Sequence, residues 1–202
     1  MARVTGQIDL SKNEAILDAA MEVLGERGIT APMEEIARRA CVSKQTIYNH
    51  YGSKAELVRA LASRRVHEMT APLATPEGLD DPAQALAGFA RVLLRAVITP
   101  RGMSLYRMAM INALEMPDVA HAMFEAGPKE SRARLAVFLA LETQVGRLHC
   151  PDPLQAAEFF AGMVLGSHQA AALLGVPVTL TDPKIDEIAR EAAARFLRAY
   201  SP

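Results

Sequence analysis

The sequence predicts an all-α protein of about nine or ten helices: a three-helix helix-turn-helix domain at residues 1–60, then a larger helical domain at 61–202. Three observations predict it. Apolar residues recur at the three- and four-residue spacing of buried helix faces from Ile16 onward. Helix-start signals recur along the chain, the clearest being Ser11 with Glu14, Ser53 with Glu56, Asp81-Pro82 and Asp152-Pro153. No run of alternating polar and apolar residues marks a strand, because VPVTL at 176–180 is short and holds Pro177. With 202 residues, half of them apolar, the chain has ample material for a core.

Residues 1–10 read as a loose arm. Ser11 and Glu14 then make a capping box, and Ile16, Ala20, Val23 and Leu24 carry one apolar face to about Arg27, with Gly28 as the stop. A second helix covers about Met33 to Ala40, with Pro32 as its start signal, and a third follows Ser43. A fourth opens at Ser53 and carries Leu57, Leu61 and Met69 towards a loop from Pro72 to Pro82.

The short third helix has a thin apolar face, Ile47 and Tyr51, which meets Ile36, Ala37, Ala40 and Val42 from the preceding turn and helix. Lys44, Gln45, Thr46, Tyr48, Asn49 and His50 point elsewhere. A dense set of donors and ring edges opposite a thin buried face suits a DNA major groove. Ser43 as N-cap places the positive end of the helix dipole where a phosphate can lie. From Ile36 to Arg65 seven basic residues stand against one acid, while the whole chain carries −1. That local charge is what a polyanion binder needs, though it also describes an ordinary solvated helix face.

AILDAAMEVLGERGI at 15–29 and MEEIARRACVSKQTIYNHYGSKAELVRAL at 33–61 resemble the DNA-binding domain of the TetR family of bacterial repressors. The resemblance implies a recognition helix beginning at Ser43, with base or groove contacts from Lys44, Gln45, Thr46 and Tyr48. It implies phosphate contacts from Asn49, His50 and Lys54. Two positions depart from the family pattern. Cys41 stands where the turn usually has Gly, so either this turn does not demand a positive φ or Cys tolerates one with strain. Ala31-Pro32 replaces the usual hydroxyl residue that caps the second helix.

The remaining helices follow from their punctuation. Asp81-Pro82-Ala83-Gln84 opens one that buries Leu86, Phe89, Ala90, Leu93, Leu94 and Val97 and ends at Thr99-Pro100. Gly102 to Glu115 and Pro117 to Ala126 form the next two. Gly127-Pro128 breaks the chain before Lys129 to Gln144. Asp152-Pro153 begins a helix to about Leu174, closed by Gly175, and Asp182-Pro183 begins the last, to about Tyr200.

In these last two helices Ala156, Ala157, Ala161, Gly162, Gly166, Ala170 and Ala171 are small, and Ile185, Ile188, Ala192, Phe196 and Ala199 make a stripe. The pattern fits a four-helix homodimer interface with two helices from each copy, and equally fits packing inside one chain. A single short recognition helix reads few base pairs, which favours a two-fold dimer on a near-palindromic site.

Five methionines from Met103 to Met123, with Phe124, Phe159 and Met163 and the polar Arg107, His121 and His168, fit a cavity for a hydrophobic ligand. Met103, Arg107, Met110, His121, Phe124, Phe159, Met163 and His168 are the expected lining, and plain core packing is the alternative for each. LYRMAMINALEMPDVAHAMFEAGP and DPLQAAEFFAGMVLG resemble the C-terminal domain of AefR-type TetR regulators, which implies a regulatory effector-binding domain.

No Gly-rich phosphate loop, HExxH, Gly-x-Ser-x-Gly elbow or paired Cys at metal spacing is present, so no enzyme is expected, and no cofactor. His149, Cys150 and Asp152 are too local for a metal site. Cys41 and Cys150 are too far apart in sequence to suggest a disulfide framework. With no apolar run long enough to span a bilayer, the expected place is the cytoplasm. The functional expectation is a repressor that binds double-stranded operator DNA as a homodimer through its last two helices and is released by a small hydrophobic effector. The alternative is an effector-free sequence-specific or architectural DNA-binding protein.

Overall fold

A computed structural model describes residues 5–75, 78 and 80–202, with the side chains of 5–10 and 100–102 excepted. The described residues form α1 (Thr5–Arg27), α2 (Met33–Arg39), α3 (Lys44–Tyr51), α4 (Lys54–Thr70), a 3-10 turn (Ala71–Leu73), α5 (Pro82–Ile98) and α6 (Pro100–Ile111). They continue as α7 (Pro117–Phe124), a π-helical turn (Glu125–Lys129), α8 (Glu130–Gln144), α9 (Pro153–Leu165), α10 (His168–Leu173) and α11 (Asp182–Ala199). No strand occurs among them. The chain divides into two compact units, Met1–Ser63 with Ser104–Ala126, and Arg64–Met103 with Gly127–Pro202.

The first unit buries the positions that helical spacing predicts: Ile16, Ala20, Val23 and Leu24 of α1, Ile36 and Ala37 of α2, Ile47 of α3 and Leu57 of α4. Each fully buried Leu or Ile contributes about 1.5–3 kcal/mol. Leu105, Ala109, Val119 and Met123 join this core, with Met108 and Met116 packed on its edge. These methionines serve as core filling.

The turn between α2 and α3 answers the question that Cys41 raises. Cys41 has φ 54°, and is the one non-glycine residue with positive φ among the described residues. Its amide donates to the Arg38 carbonyl at 3.2 Å, and the Val42 amide donates to the Ala37 carbonyl at 3.0 Å. This paired motif satisfies the last carbonyls of a helix and calls for a left-handed residue at the first position after the cap. The same motif closes α8 at Gly146 (φ 76°) and α10 at Gly175 (φ 77°). Cys41 therefore holds a glycine conformation, at a cost of about 1–2 kcal/mol. Cys41→Gly is expected to raise stability by about 0.5–1 kcal/mol after the extra unfolded-state freedom of Gly is subtracted. Thermal denaturation reads this as a Tm about 1–4 °C higher, and a lower Tm contradicts it.

Several element boundaries differ from expectation. Helix α1 starts at Thr5, so residues 5–10 are helical rather than a loose arm, and Ser11 with Glu14 lies inside the helix rather than capping it. Residues 1–4 of the expected arm lie outside the described residues, as do 76, 77 and 79 of the expected Pro72 to Pro82 loop. Pro32 occupies the N-cap of α2, one residue before the helix, without a side-chain acceptor. Ser53 Oγ accepts from the Glu56 amide at 3.2 Å, while the Ser53 amide donates to Tyr51 rather than to Glu56, so only half of that capping box forms. Gly127-Pro128 does not break the chain, because the wider π-turn accommodates a residue with no amide hydrogen. The helix expected over 153–174 is divided at Gly166 (φ 46°) into α9 and α10.

In the second unit Asp81 Oδ1 accepts from the Ala83 and Gln84 amides at 2.9 and 3.3 Å, and Asp152 Oδ1 from the Gln155 amide at 3.0 Å. Both Asp-Pro starts are thus N-caps in the expected way. Phe160 of α9 lies edge-on to Phe196 of α11, ring centroids 5.1 Å apart, and 6.3 Å from Phe89 of α5. Arg91 and Arg95 of α5 pair with Asp186 and Asp182 of α11 at 2.5 and 2.8 Å. Of the residues expected at a dimer interface, Ala156, Ala157, Ala161, Ile185, Ala192 and Phe196 are buried within the chain, while Gly162, Gly166, Ala170, Ala171, Ile188 and Ala199 are exposed or half-buried. Small residues let α9 come close to its neighbours in the same chain. Phe159 and Met163 instead face outward, 57% and 44% exposed.

Candidate nucleic-acid interface

Helix α3 is held by its N-cap and by two side chains, Ile47 and Tyr51. Ser43 is its N-cap, and its Oγ accepts from the Thr46 amide at 3.0 Å and lies 2.8 Å from the Thr46 hydroxyl. Ile47, fully buried, is the one buried residue of the helix. Tyr51, half-buried, donates its hydroxyl to Asn13 Oδ1 of α1 at 2.5 Å. Ser43, Lys44, Gln45, Tyr48 and Asn49 are exposed, and Thr46 and His50 are half-buried. Gln45 Nε2 donates to Asn49 Oδ1 at 2.7 Å, one helical turn on. Lys44 Nζ sits 5.7 Å from the Tyr48 ring centroid, a cation over an aromatic face. Lys44, Gln45, Tyr48 and Asn49 therefore form one surface that presents a cation, a phenol and two amides.

Lys54 stands apart from that surface. Its half-buried ammonium donates to the Ile29 carbonyl at 2.8 Å, tying the start of α4 to the segment after α1. Burial pushes its pKa down, and the Glu34 carboxylate partly opposes that.

The basic run has counter-ions, and those of Lys44 and Arg39 come from distant parts of the sequence. Lys44 pairs with Glu34 at 2.5 Å, Arg39 with Glu22 and Glu26 at 3.0 and 2.9 Å, Arg38 with Glu35 at 3.7 Å, and Arg59 with Glu56 at 3.3 Å. Hydrogen bonding to Lys44 holds the Glu34 carboxyl below its ordinary range, and the same bond raises the Lys44 pKa. The acids of α1 and α2 thus offset the positive charge gathered between residues 36 and 65.

The eight residues expected to line an effector cavity belong to both units. Met103, Phe159, Met163 and His168 belong to the second unit, and Arg107, Met110, His121 and Phe124 to the first. Met103 is buried, Arg107 and His168 are half-buried, and Met110, His121, Phe124, Phe159 and Met163 are exposed. None of them lines the two cavities described in the second unit. One cavity is lined by Arg91, Arg95, Gln84 and Glu68 among others, and the second by residues of α4, the 3-10 turn and α8. Sequence spacing passed over both, because each depends on which helices meet.

Residues 16–61 match the bacterial regulatory proteins of the tetR family, and residues 84–202 match the C-terminal domain of AefR-like transcriptional repressors. The HTH-type transcriptional repressor Rv3405c of Mycobacterium tuberculosis is 32% identical over 139 residues, which cover 68% of this chain and 72% of that protein. A TetR-family regulator from Mesorhizobium loti superimposes with a TM-score of 0.78 at 25% identity, over 96% of this chain and 98% of that one. The flavonoid-responsive regulator FrrA does so with a TM-score of 0.71 at 28% identity, over 95% and 98%.

Proposed function

Because the chain belongs to the TetR family of bacterial transcriptional regulators, we propose that it is a repressor that grips a near-palindromic operator as a homodimer and lets go when a small, largely hydrophobic molecule binds. The observation that carries this reading is α3, eight residues long with one buried anchor and an outward surface of Lys44, Gln45, Tyr48 and Asn49. On this reading residues 1–60 read DNA, and 61–202 bind the effector and the second copy. Lys44, Gln45, Thr46 and Tyr48 address base edges and the groove, while Ser43, Asn49, His50 and Lys54 address phosphates. The work is done in the cytoplasm, and no catalysis is part of it.

Two copies place their recognition helices about 34–36 Å apart, one turn of DNA. The exposed Phe159, Gly162 and Met163 of α9, and the exposed Glu187, Arg190 and Glu191 of α11, support a seam between copies along the last long helices. The effector acts only through its different affinity for the DNA-competent and incompetent arrangements. A relative named for its response to flavonoids supports a largely hydrophobic effector.

Tyr48→Ala tests the reading head. Tyr48 is surface-exposed, so the fold should persist while operator affinity falls by about 1–3 kcal/mol relative to random DNA. Equal loss on both DNAs, or none, removes Tyr48 from sequence reading. Glu34→Gln tests the counter-ions. It frees the Lys44 ammonium, so affinity for random DNA at low salt should rise about two- to five-fold and converge with wild type as salt screens the charge. Unchanged affinity at low salt would mean that Glu34 does not restrain Lys44.

A further inference from the structure

A trough of about 370 Å³ opens between the last turn of α4, the 3-10 turn after it and the middle of α8, every lining residue lying in the second unit. Its walls are Ala71, Leu73, Ala74, Val137, Phe138 and Leu141. Val137 and Leu141 are 62% and 48% exposed, so this apolar surface meets solvent. No Asp or Glu lines the trough; its charged and titratable groups are Arg134 and His67. Arg134 pairs with Glu130 through its Nε at 2.7 Å, one edge of the guanidinium. Its two terminal nitrogens make no hydrogen bond with the described residues. An apolar floor with an available guanidinium fork at its rim is complementary to a molecule that is apolar along its length and anionic at one end. A guanidinium matches a carboxylate by two parallel N–H···O bonds. The volume lies within the ordinary range for small-molecule sites.

We infer that this trough is the effector site and that it takes an amphipathic monocarboxylic acid, its apolar body against Leu73, Phe138 and Leu141 and its carboxylate on Arg134. The inference rests on the regulator reading above and gives it a ligand class. It also gives the ligand a lever. His67 and Thr70 stand on the last turn of α4, and the first turn of that helix follows α3 after Gly52 and Ser53. A carboxylic acid seated on α4 favours whichever arrangement of that helix closes the trough, and so biases the helix that continues from the recognition helix.

Calorimetric titration of the full-length protein with decanoate and with decan-1-ol tests it. The two probes share an apolar body and differ in the carboxylate. The expected result is that decanoate binds at least about tenfold more tightly than the alcohol. Arg134→Met should bring decanoate down to the alcohol's affinity and leave the alcohol unchanged. Val137→Asp, a change at an exposed position, should abolish binding of both. Equal affinities in the wild type, no decanoate binding up to about 1 mM, or an acid preference that survives Arg134→Met each overturns the site. Titration of operator DNA with and without decanoate separates the two readings. Release of DNA by decanoate in the wild type and not in Arg134→Met supports the inference. Binding through Arg134 without release overturns the effector role, while the DNA-regulator reading then stands on operator binding itself.

Discussion

Ile47→Ala is expected to cost about 2–5 kcal/mol of stability and to remove operator binding under conditions where the chain is still largely folded. Ile47 is completely buried and shares a core with Ile16, Leu24, Ile36 and Leu57. A helix of eight residues does not hold itself together in water, so α3 depends on this side chain, on Tyr51 bonded to Asn13, and on the Ser43 cap. The left-handed turn at Cys41 fixes where the helix begins, and Ile47 together with Tyr51 fixes how far it is rotated. Without the anchor, Lys44 and Tyr48 remain on the chain but lose their common orientation. Ile47→Val should cost about 0.5–1.5 kcal/mol and keep DNA binding, because a β-branched side chain still fills most of the site. Denaturant unfolding and DNA titration of both variants check this. An Ile47→Ala protein that binds operator like wild type would show that α3 is oriented by something else.

Phe160→Ala is expected to cost about 3–5 kcal/mol, and its effect falls on the second unit. The ring is fully buried and lies between Phe89 of α5 and Phe196 of α11, whose ring in turn lies 4.5 Å from Tyr200. Removing it leaves a cavity where three helices meet, and a close-packed interior relaxes only partly around such a void. If the last helices carry the second copy, the same change should also weaken the dimer. Unfolding monitored by circular dichroism, with mass measured in solution, checks both parts. A loss below about 1 kcal/mol would mean that neighbouring side chains collapse into the space.

Ile47 was legible in the sequence because it sits with Tyr51 on the thin apolar face of a helix whose start is marked by a side-chain cap, whereas Phe160 was not, since its helix is apolar nearly all round and spacing does not say which ring turns inward. The Ser43, Asp81 and Asp152 caps hold as expected because capping is decided within three residues. What depended on longer range was not legible. Nothing in TGQIDL announces helix, yet α1 extends through it, since adding turns to an existing helix is easier than starting one. Gly166 sat in a run of small residues where a break and a close helix contact look alike. Glu22, Glu26 and Glu34 were counted as acids outside the basic segment, and only folding brings them onto Arg39 and Lys44. Methionine spacing could not say which unit a residue packs in, and Met108, Met116 and Met123 go to the core of the first. Arg134 carried no signal at all, because its significance lies in Leu73 and Ala74 facing it from 60 residues away in the chain.

The most direct test is to let the purified protein select fragments from a random or genomic DNA pool at moderate salt while its mass is measured in solution. The expected result is enrichment of one near-palindromic sequence, with half-sites about one helical turn apart, and a mass twice that of the chain. A folded protein that enriches no sequence would contradict the claim that α3 reads bases, and would leave an architectural DNA-binding role as the better description.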